Sequence, residues 1–202
     1  FAKSPMGVEL GYPSEFYRTD KPGGRCPACS GRGYTQIDMD FFEDAESPCA
    51  VCGGTRFRSE VLQVTYRGVH VGKVLEMDLG RARHVFAREK KIADRLRWTA
   101  QAGLDYLLLG TDVGQLEWGE CLRLQLAVSL KGKPSERDFV VLDHLTPGIH
   151  PTEVGEIVSL LGYIAREGGT VLVADAHPHL LSACASLVRI GPENDRRAAL
   201  VV

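Results

Sequence analysis

Two Cys-x-x-Cys pairs constrain this 202-residue chain more than any other feature of its sequence. Cys26 and Cys29 form the first pair, and Cys49 and Cys52 form the second after a spacer of 19 residues. Four thiolates complete the tetrahedral shell of a structural zinc ion, and the glycines after each pair permit the positive-φ turns that such a site needs. The sequence therefore predicts a zinc module with these cysteines as ligands; two disulfides or four unrelated thiols are the alternatives.

Composition narrows the class of protein. The hydrophobic fraction of 44% and the charged fraction of 25% are typical of a globular chain. No apolar run approaches the roughly 20 residues that span a bilayer, and no secretory pattern opens the chain. Six cysteines suit a reducing compartment better than a secreted disulfide scaffold. We therefore expect a cytoplasmic protein without a membrane partner, in which Cys121 and Cys184 are core residues.

Positive charge is concentrated in the front half of the chain. Residues 1–98 carry 16 Lys+Arg against 13 Asp+Glu, whereas the remainder carries 8 against 13. Five basic residues bracket the cysteine pairs, where a rigid metal turn can aim them at phosphates. They are Lys21, Arg25, Arg32, Arg56 and Arg58. A solvated rim around a structural metal is the alternative interpretation.

Local patterns in the front half predict strands and then a helix. Turn formers fill residues 1–25, which we interpret as an irregular lead-in. Ile37, Met39 and Phe41 alternate with polar residues, which predicts a strand in a hairpin closed near residues 43–44. Residues 59–66 are interpreted as another strand, which turns at residues 67–68. Apolar residues three or four apart predict a helix over residues 79–101.

The last third predicts a parallel α/β sheet. The apolar run 139–142, ending at Asp143, is typical of a strand buried on both faces. Pro151 can begin a helix that ends at the glycines 168–169, and a second buried strand follows. A helix over residues 120–130, a short helix at 179–185 and a third strand at 187–190 complete the prediction. The expected divisions are a lead-in (1–25), a zinc module (26–58), a strand pair with a helical region (59–133) and an α/β part (134–202).

In such a sheet, ligands bind at the carboxyl ends of the strands. Asp143 is placed to hold Mg²⁺ in a nucleotide-binding core, since this cation prefers oxygen ligands. Four histidines also fall near predicted strand ends: His144, His150, His177 and His179. A second metal site is one hypothesis for them, but isolated polar residues beside a cleft are the favoured interpretation.

Several segments together resemble the UvrA family of the excinuclease ABC system, the damage-recognition ATPases of bacterial nucleotide excision repair. Two segments are similar to the family's carboxy-terminal zinc module: Gly23-Gly24-Arg25-Cys26 through Gly33, and Pro48-Cys49 through Gly54. Four other segments also resemble the family. Residues 3–7 are similar to the segment that follows its first nucleotide loop, and residues 103–110 are similar to the segment that leads into its ABC signature. Residues 116–127 correspond to the signature itself, and residues 142–150 to the Walker B and D-loop segment. The match is to the second of the family's two nucleotide-binding halves.

The resemblance implies a fold and a function. The fold is an α/β, ABC-ATPase-like parallel sheet with an inserted four-cysteine zinc module and a helical signature region. The implied function is DNA damage recognition, with double-stranded DNA, a UvrB-like protein and a second copy as partners. Gly119, Glu120 and Asp143 occupy nucleotide-binding positions, and the basic residues around the cysteines become candidates for DNA contact.

Departures from the family pattern bear on catalysis. Glu117 and Trp118 stand where the signature has Ser and Gly, and His144 stands at the catalytic Glu. Ala176 and Lys3 replace the switch His and a Gln. No phosphate loop occurs in these residues, so the chain is either a piece of a longer protein or a degenerate relative. We expect impaired hydrolysis in this half, with ATP and Mg²⁺ bound only if a longer chain supplies the loop.

Two rival functions share parts of this pattern. The same fold can serve as a non-catalytic, zinc-stabilised protein-interaction module, which the altered signature favours. A DnaJ-like chaperone zinc domain shares Cys-x-x-Cys-x-Gly-x-Gly, but that family repeats the motif four times, and this chain has one good copy and one partial copy.

Overall fold

The structure, a computed structural model, describes residues 1–37, 45–130, 134–189 and 198–201. It divides into two compact units. Unit 1 comprises residues 1–77 and 108–110, and unit 2 comprises residues 78–107 and 111–202. The predicted strand residues Met39 and Phe41 and the hairpin closure at residues 43–44 lie outside the described residues, as does the end of the third predicted strand at residue 190.

The elements of unit 1 are short. In chain order they are α1 (Pro5–Glu9), a 3-10 helix (Ser14–Tyr17), β1 (Tyr34–Ile37), β2 (Ala45–Pro48), α2 (Ser59–Leu62), β3 (Thr65–Tyr66), β4 (Val69–His70) and α3 (Val71–Leu75). The pairs β1–β2 and β3–β4 are antiparallel. The first pairing agrees with the predicted hairpin between the two cysteine pairs, although its strand begins at Tyr34 rather than near Ile37.

The predicted strand over residues 59–66 is wrong for most of its length. Residues 59–62 form α2, and only Thr65 and Tyr66 are extended. Val61 and Val64 are both buried, and their spacing of three places them on one side of a helical turn. The predicted turn is confirmed, because Arg67 and Gly68 both have positive φ between β3 and β4, as a two-residue hairpin loop requires.

Unit 2 carries the longer elements. They are α4 (Leu79–Val85), α5 (Lys90–Gln101), a 3-10 helix (Val113–Gln115), α6 (Trp118–Ser129), β5 (Phe139–Asp143), α7 (Pro151–Arg166), β6 (Thr170–Ala174), α8 (Pro178–Ser182), β7 (Ser186–Arg189) and β8 (Ala198–Val201). The helix predicted over residues 79–101 is therefore two helices, separated at residues 86–89. Asp78 begins α4 by accepting a hydrogen bond from the Arg81 backbone N–H, 2.7 Å away.

The sheet of unit 2 has the strand order β5-β6-β8-β7. The strand–helix–strand unit β5–α7–β6 is parallel, which confirms the predicted α/β class. The third predicted strand, β7, does not pair with β6, because β8 lies between them and is antiparallel to both. The start and end of α7 also agree with the prediction, since Pro151 opens the helix and Gly168, with a φ of 100°, follows its last turn.

Only one face of β5 and β6 is well buried. Val171 and Val173 of β6 are buried beside α7, whose own buried residues are Val154, Ile157, Leu160, Leu161 and Ile164. Phe139 and Val141 are 63% and 58% exposed, so the prediction that the first strand is buried on both faces is wrong. Their alternation with Val140 and Leu142 turns them to the side opposite the one that α7 covers.

Two smaller expectations have clear outcomes. Cys121 and Cys184, predicted to be core residues, are only half-buried. The Cys184 thiol contacts the Leu180 carbonyl at 3.1 Å, at the end of α8.

Among the helices of the described residues, none combines the length and apolar character that crossing a membrane requires.

Candidate functional site

The four cysteine sulfurs of unit 1 converge on one point. All four Sγ atoms lie within 4.8 Å of one another, with Cys26 to Cys49 at 4.0 Å and Cys29 to Cys52 at 3.8 Å. Sulfurs of a tetrahedral zinc site lie about 3.8 Å apart, because each Zn–S bond is about 2.3 Å long. A disulfide needs about 2.05 Å, and the structure contains these cysteines as free thiols. Donor type, number and spacing therefore fit zinc and not a disulfide pair.

Tight turns after each pair produce this convergence. Ser30, Gly31 and Gly33 have positive φ after the first pair, and Gly53 and Gly54 have positive φ after the second. The turns are closed by backbone hydrogen bonds, from Arg32 to the Cys29 carbonyl at 3.0 Å and from Gly53 to the Cys49 carbonyl at 2.7 Å.

Space as well as φ requires glycine at one of these positions. A Cβ at Gly31 would lie 2.3 Å from the Thr19 carbonyl oxygen, whereas a Cβ at Gly53 would meet nothing within 4 Å. The first turn is therefore packed against the lead-in, and the second is open.

Hydrogen bonds and burial act differently on the individual thiols. Backbone N–H groups of Cys52 and Val51 lower the pKa of the Cys49 thiol, which favours the thiolate that binds metal. Burial instead raises the pKa of the Cys52 thiol. The Gly33 N–H points at the Cys29 sulfur from 3.2 Å, a contact that favours a negatively charged sulfur.

The five basic residues named for DNA contact differ in how free their guanidinium or ammonium groups are. Lys21, Arg32 and Arg58 are exposed, and Arg32 lies 6.0 Å from the centre of the Tyr34 ring. Arg25 and Arg56 are half-buried. The Arg56 guanidinium donates to the Gly110 carbonyl at 2.8 Å, and that of Arg25 donates to the Asp20 carbonyl at 3.4 Å. These two side chains thus have structural partners within unit 1.

A cleft lies at the carboxyl ends of β5 and β6 in unit 2. Its lining includes His144, Thr146, Pro147, Ala174, Asp175 and His177. Asp175, which the sequence analysis did not identify, accepts hydrogen bonds from the Thr146 hydroxyl and backbone and from two backbone N–H groups beyond its own strand, at 2.6 to 2.9 Å. Burial opposes ionisation, but these four hydrogen bonds outweigh it and lower the pKa of Asp175.

Asp143 and His144 form a neighbouring pair. The His144 Nδ1 lies 2.9 Å from an Asp143 carboxylate oxygen, and the side chains are 83% and 76% exposed. That hydrogen bond, with the charge of Asp143, raises the pKa of His144. His144 has a φ of 51°, a left-handed conformation in which a non-glycine residue is strained. The position at which the sequence analysis expected a catalytic Glu therefore holds a more readily protonated imidazole in a solvated setting.

The segment at the signature position begins α6. The Glu117 N–H donates to the Glu120 carboxylate at 3.0 Å, and that carboxylate also accepts from the Tyr106 hydroxyl. The Glu153 carboxylate lies against Gly119, where a Cβ would come within 2.4 Å of it. Trp118 is 58% exposed. Carboxylates of Glu120 and Glu153 thus lie at the start of α6, the helix end that would otherwise favour an anion.

Arg123 ties this helix end to its neighbours. Its side chain is 4% exposed, donates to the Glu153 carboxylate at 2.9 Å, and donates to the Ala102 carbonyl at 3.0 Å, at the end of α5. The sequence analysis placed Arg123 in the signature segment but gave it no role. Nothing in the local sequence indicates its partners, since they lie 21 and 30 residues away.

The histidines do not gather with other metal ligands. Within the ranges that the structure describes, the four cysteines form the only group of three or more metal-type side chains. His150 caps α7 through a hydrogen bond from the Thr152 N–H, and His179 lies on α8. His177 Nδ1 is buried with no hydrogen-bond partner in the described residues. The second-metal hypothesis gains no support.

Comparison with known proteins gives a consistent result. No protein-family profile matches the chain. It is 32% identical over 202 residues, all of the chain, to UvrABC system protein A of Staphylococcus epidermidis, and covers 21% of that protein. It is 34% identical over 193 residues, 96% of the chain, to the protein of the same name from Streptococcus mutans, and covers 20% of it.

A solved structure is also similar. The crystal structure of UvrA2 from Deinococcus radiodurans matches with a TM-score of 0.77 and 32% identity, over 90% of this chain and 22% of that chain. The chain therefore spans about one fifth of the length of the curated relatives and of the solved structure that it matches.

Proposed function

This chain is a UvrA-family sequence that matches the family's carboxy-terminal region along its whole length, and from that premise we propose that it is a DNA-contacting part of a damage-recognition protein of nucleotide excision repair. The observation that carries the proposal is the full-length similarity, 32% in sequence with a TM-score of 0.77 in structure. The comparisons do not favour the non-catalytic protein-interaction module.

Zinc is the proposed cofactor of unit 1, held by Cys26, Cys29, Cys49 and Cys52. The sulfur spacing and the convergence of four buried or half-buried thiols support a closed, structural site without an open position for chemistry. Metal analysis of the purified chain should give one zinc per molecule, released by a strong chelator with loss of structure in unit 1. A preparation that is folded and free of metal would contradict this assignment.

The basic rim of unit 1 is the proposed DNA contact. Arg32 and Arg58 are its most suitable members, because both are exposed and Arg56 is engaged with the Gly110 carbonyl. Affinity for a duplex should be measured against salt concentration for the wild type and for the double variant Arg32→Ala/Arg58→Ala. Each lost phosphate contact lowers the slope of log K on log salt by about 0.9, so a decrease of about 1.8 is expected.

A matched control uses a cation that already has a partner. Arg18 forms an ion pair with Asp20 at 2.6 Å in the same unit, so Arg18→Ala removes a charge and should leave the slope nearly unchanged. An unchanged slope in the double variant would remove the rim from the proposal.

These residues alone are proposed neither to bind ATP tightly nor to hydrolyse it. The support is the cluster of carboxylates at the start of α6 and the exposed imidazole at the position of the catalytic Glu. Titration calorimetry with Mg-ATP should detect no binding in the micromolar range. A micromolar dissociation constant would contradict the proposal, whereas a longer chain with a phosphate loop would supply its own nucleotide contacts.

Partners follow from the same premise. The relatives are named as protein A of a UvrABC system, which supports a UvrB-like protein as a partner. A homodimer as the assembled form is proposed from the family resemblance alone. A cytoplasmic location accords with both. Co-purification with a UvrB-like protein from the same source tests the first of these.

A further inference from the structure

A second basic surface lies in unit 2, on the helix pair α4–α5. Residues 79–98 contain seven Lys+Arg and two Asp+Glu, in a chain whose net charge is −2. Six of the seven cations are exposed. We call these six side chains the α4–α5 surface: Arg81, Arg88, Lys90, Lys91, Arg95 and Arg97.

The fold turns these cations outward. All four basic side chains of α5 are exposed. Lys91 and Arg95, four residues apart, share one side of the helix, and Lys90 and Arg97, seven apart, share another. Arg97 lies over the Trp98 ring at 5.8 Å, and α4 packs against α5.

Internal pairing does not neutralise the α4–α5 surface. The one half-buried arginine of the segment, Arg83, pairs with Asp105 at 3.3 Å. In the described parts of the chain, the six exposed cations make no ion pair. Two acids, Glu89 and Asp94, lie in the same segment, and Asp78 is engaged as the cap of α4.

The charges are also placed where they do not stabilise the helix. Lys90 and Lys91 lie in the first turn of α5, the positive end of the helix dipole, where the one acid is the N-cap residue, Glu89. Lys91 and Arg95 form a like-charge pair at a spacing of four, which destabilises a helix by a few tenths of a kcal/mol. An anionic partner bound next to these residues would offset both unfavourable effects on the helix.

We propose that the α4–α5 surface binds the phosphate backbone of double-stranded DNA. The inference rests on the proposed function, that the chain contacts DNA, and it adds a second contact region in unit 2. The 12 residues of α5 extend about 18 Å, and duplex DNA carries one charge per about 1.7 Å of its axis. Exposed cations distributed over such a length fit a repeating line of phosphates better than the few carboxylates of a short acidic peptide. Contact with phosphates alone is independent of base sequence.

The test compares two charge-matched triple variants of the 202-residue chain. Lys90→Gln/Lys91→Gln/Arg95→Gln removes three cations from the α4–α5 surface, and Lys3→Gln/Lys73→Gln/Arg137→Gln removes three exposed cations elsewhere. Binding to a duplex of mixed sequence is measured from low to physiological salt. The first variant should lower the slope of log K on log salt by about 2 to 3, and the control by less than about 1. Circular dichroism and urea unfolding establish that both variants are folded.

The outcomes separate the two proposals. If the wild type does not bind duplex DNA, the proposed function and this inference are both overturned. If the wild type binds and the first variant keeps the wild-type slope, or the control lowers the slope equally, only the α4–α5 surface is overturned. Should the first variant be unfolded, Arg88→Gln/Arg97→Gln replaces it, with an expected decrease of about 2 and an unchanged slope as the contradicting result. An acidic peptide that competes as strongly as DNA at equal charge would also overturn the choice of partner.

Discussion

The cysteine cluster of unit 1 and the signature segment of unit 2 show how differently two kinds of site depend on sequence. In unit 1, all four sulfurs are present and lie within 4.8 Å of one another. In unit 2, side chains of the signature segment make contacts within the fold: Glu120 accepts from the Glu117 N–H, and Arg123 pairs with Glu153. A structural zinc site needs its complete set of four ligands, because one missing ligand opens the coordination shell. A nucleotide site is assembled from several elements, each of which folds without the ligand.

The largest expected effect comes from removing one of the four zinc ligands of unit 1. Cys49→Ser should remove zinc and unfold the module, since structural zinc contributes apparent binding free energies of about 10 to 16 kcal/mol in small zinc-folded peptides. Hydrogen exchange read by mass spectrometry should show lost protection around the cysteines and retained protection in β5, α7 and β6. Cys121→Ser, at a half-buried cysteine in unit 2, is the control and should keep the zinc. Equal zinc content in both variants would refute the module.

The second-largest expected effect concerns the ion pair between Arg123 and Glu153 in unit 2. Arg123→Met should lower the free energy of unfolding by about 3 to 5 kcal/mol, because it leaves the Glu153 carboxylate without its buried partner. Urea denaturation followed by fluorescence measures the change. Arg123→Met/Glu153→Gln should recover part of the loss, and Arg137→Met, at an exposed site, should change stability by less than about 0.5 kcal/mol. A loss below about 1 kcal/mol for the single variant would show that the network is dispensable.

A third prediction sharpens the comparison within unit 1. Gly31→Ala combines a left-handed backbone with a Cβ placed 2.3 Å from the Thr19 carbonyl, so we expect a loss of about 2 to 3 kcal/mol. Gly53→Ala also has a positive φ but meets open space, and should lose only about 1 kcal/mol. Thermal unfolding of the zinc-loaded chains measures both. The idea that the first turn is packed and the second is free would fail if the two losses were equal.

The smallest effect is a pH dependence in unit 2. The folded-state pKa of Asp175 is lowered, so its ionised form contributes stability that is present above the unfolded pKa, about 3.9, and is lost as the pH falls through the folded value. Asp175→Asn should therefore be less stable than the wild type at about pH 6, by about 1 kcal/mol, and the difference should shrink below about pH 4. Asp143→Asn, at a carboxylate that is 76% exposed, is the control and should show little difference. A constant gap from about pH 3 to about pH 7 would contradict this origin.

The sequence was informative where a pattern is local. The cysteine spacing and its glycines predicted the sulfur cluster, and Pro151 with the glycines at 168–169 predicted the ends of α7. Residues 59–66 were misassigned because Val61 and Val64 fit a helical turn, while neighbouring residues such as Thr65 and Tyr66 favour a strand.

Long-range features could not be predicted. The position of β8 between β6 and β7 depends on pairing between distant residues, as does the contact of Arg123 with Glu153. The same holds for the exposure of Phe139 and Val141, which depends on which face of the sheet α7 covers. Asp175 directly follows an apolar strand, as Asp143 ends one, and that parallel could have marked it as a strand-end residue.

The hydrogen bonds of Arg123 join α6 to the end of α5. By gripping the Ala102 and Gly103 carbonyls, a side chain of α6 clamps the carboxyl end of α5. The lysines at the opposite end of α5 lie about 18 Å from that clamp. The last carbonyl groups of a helix have no partner within it, so loss of the Arg123 side chain would leave the carboxyl end of α5 without this donor.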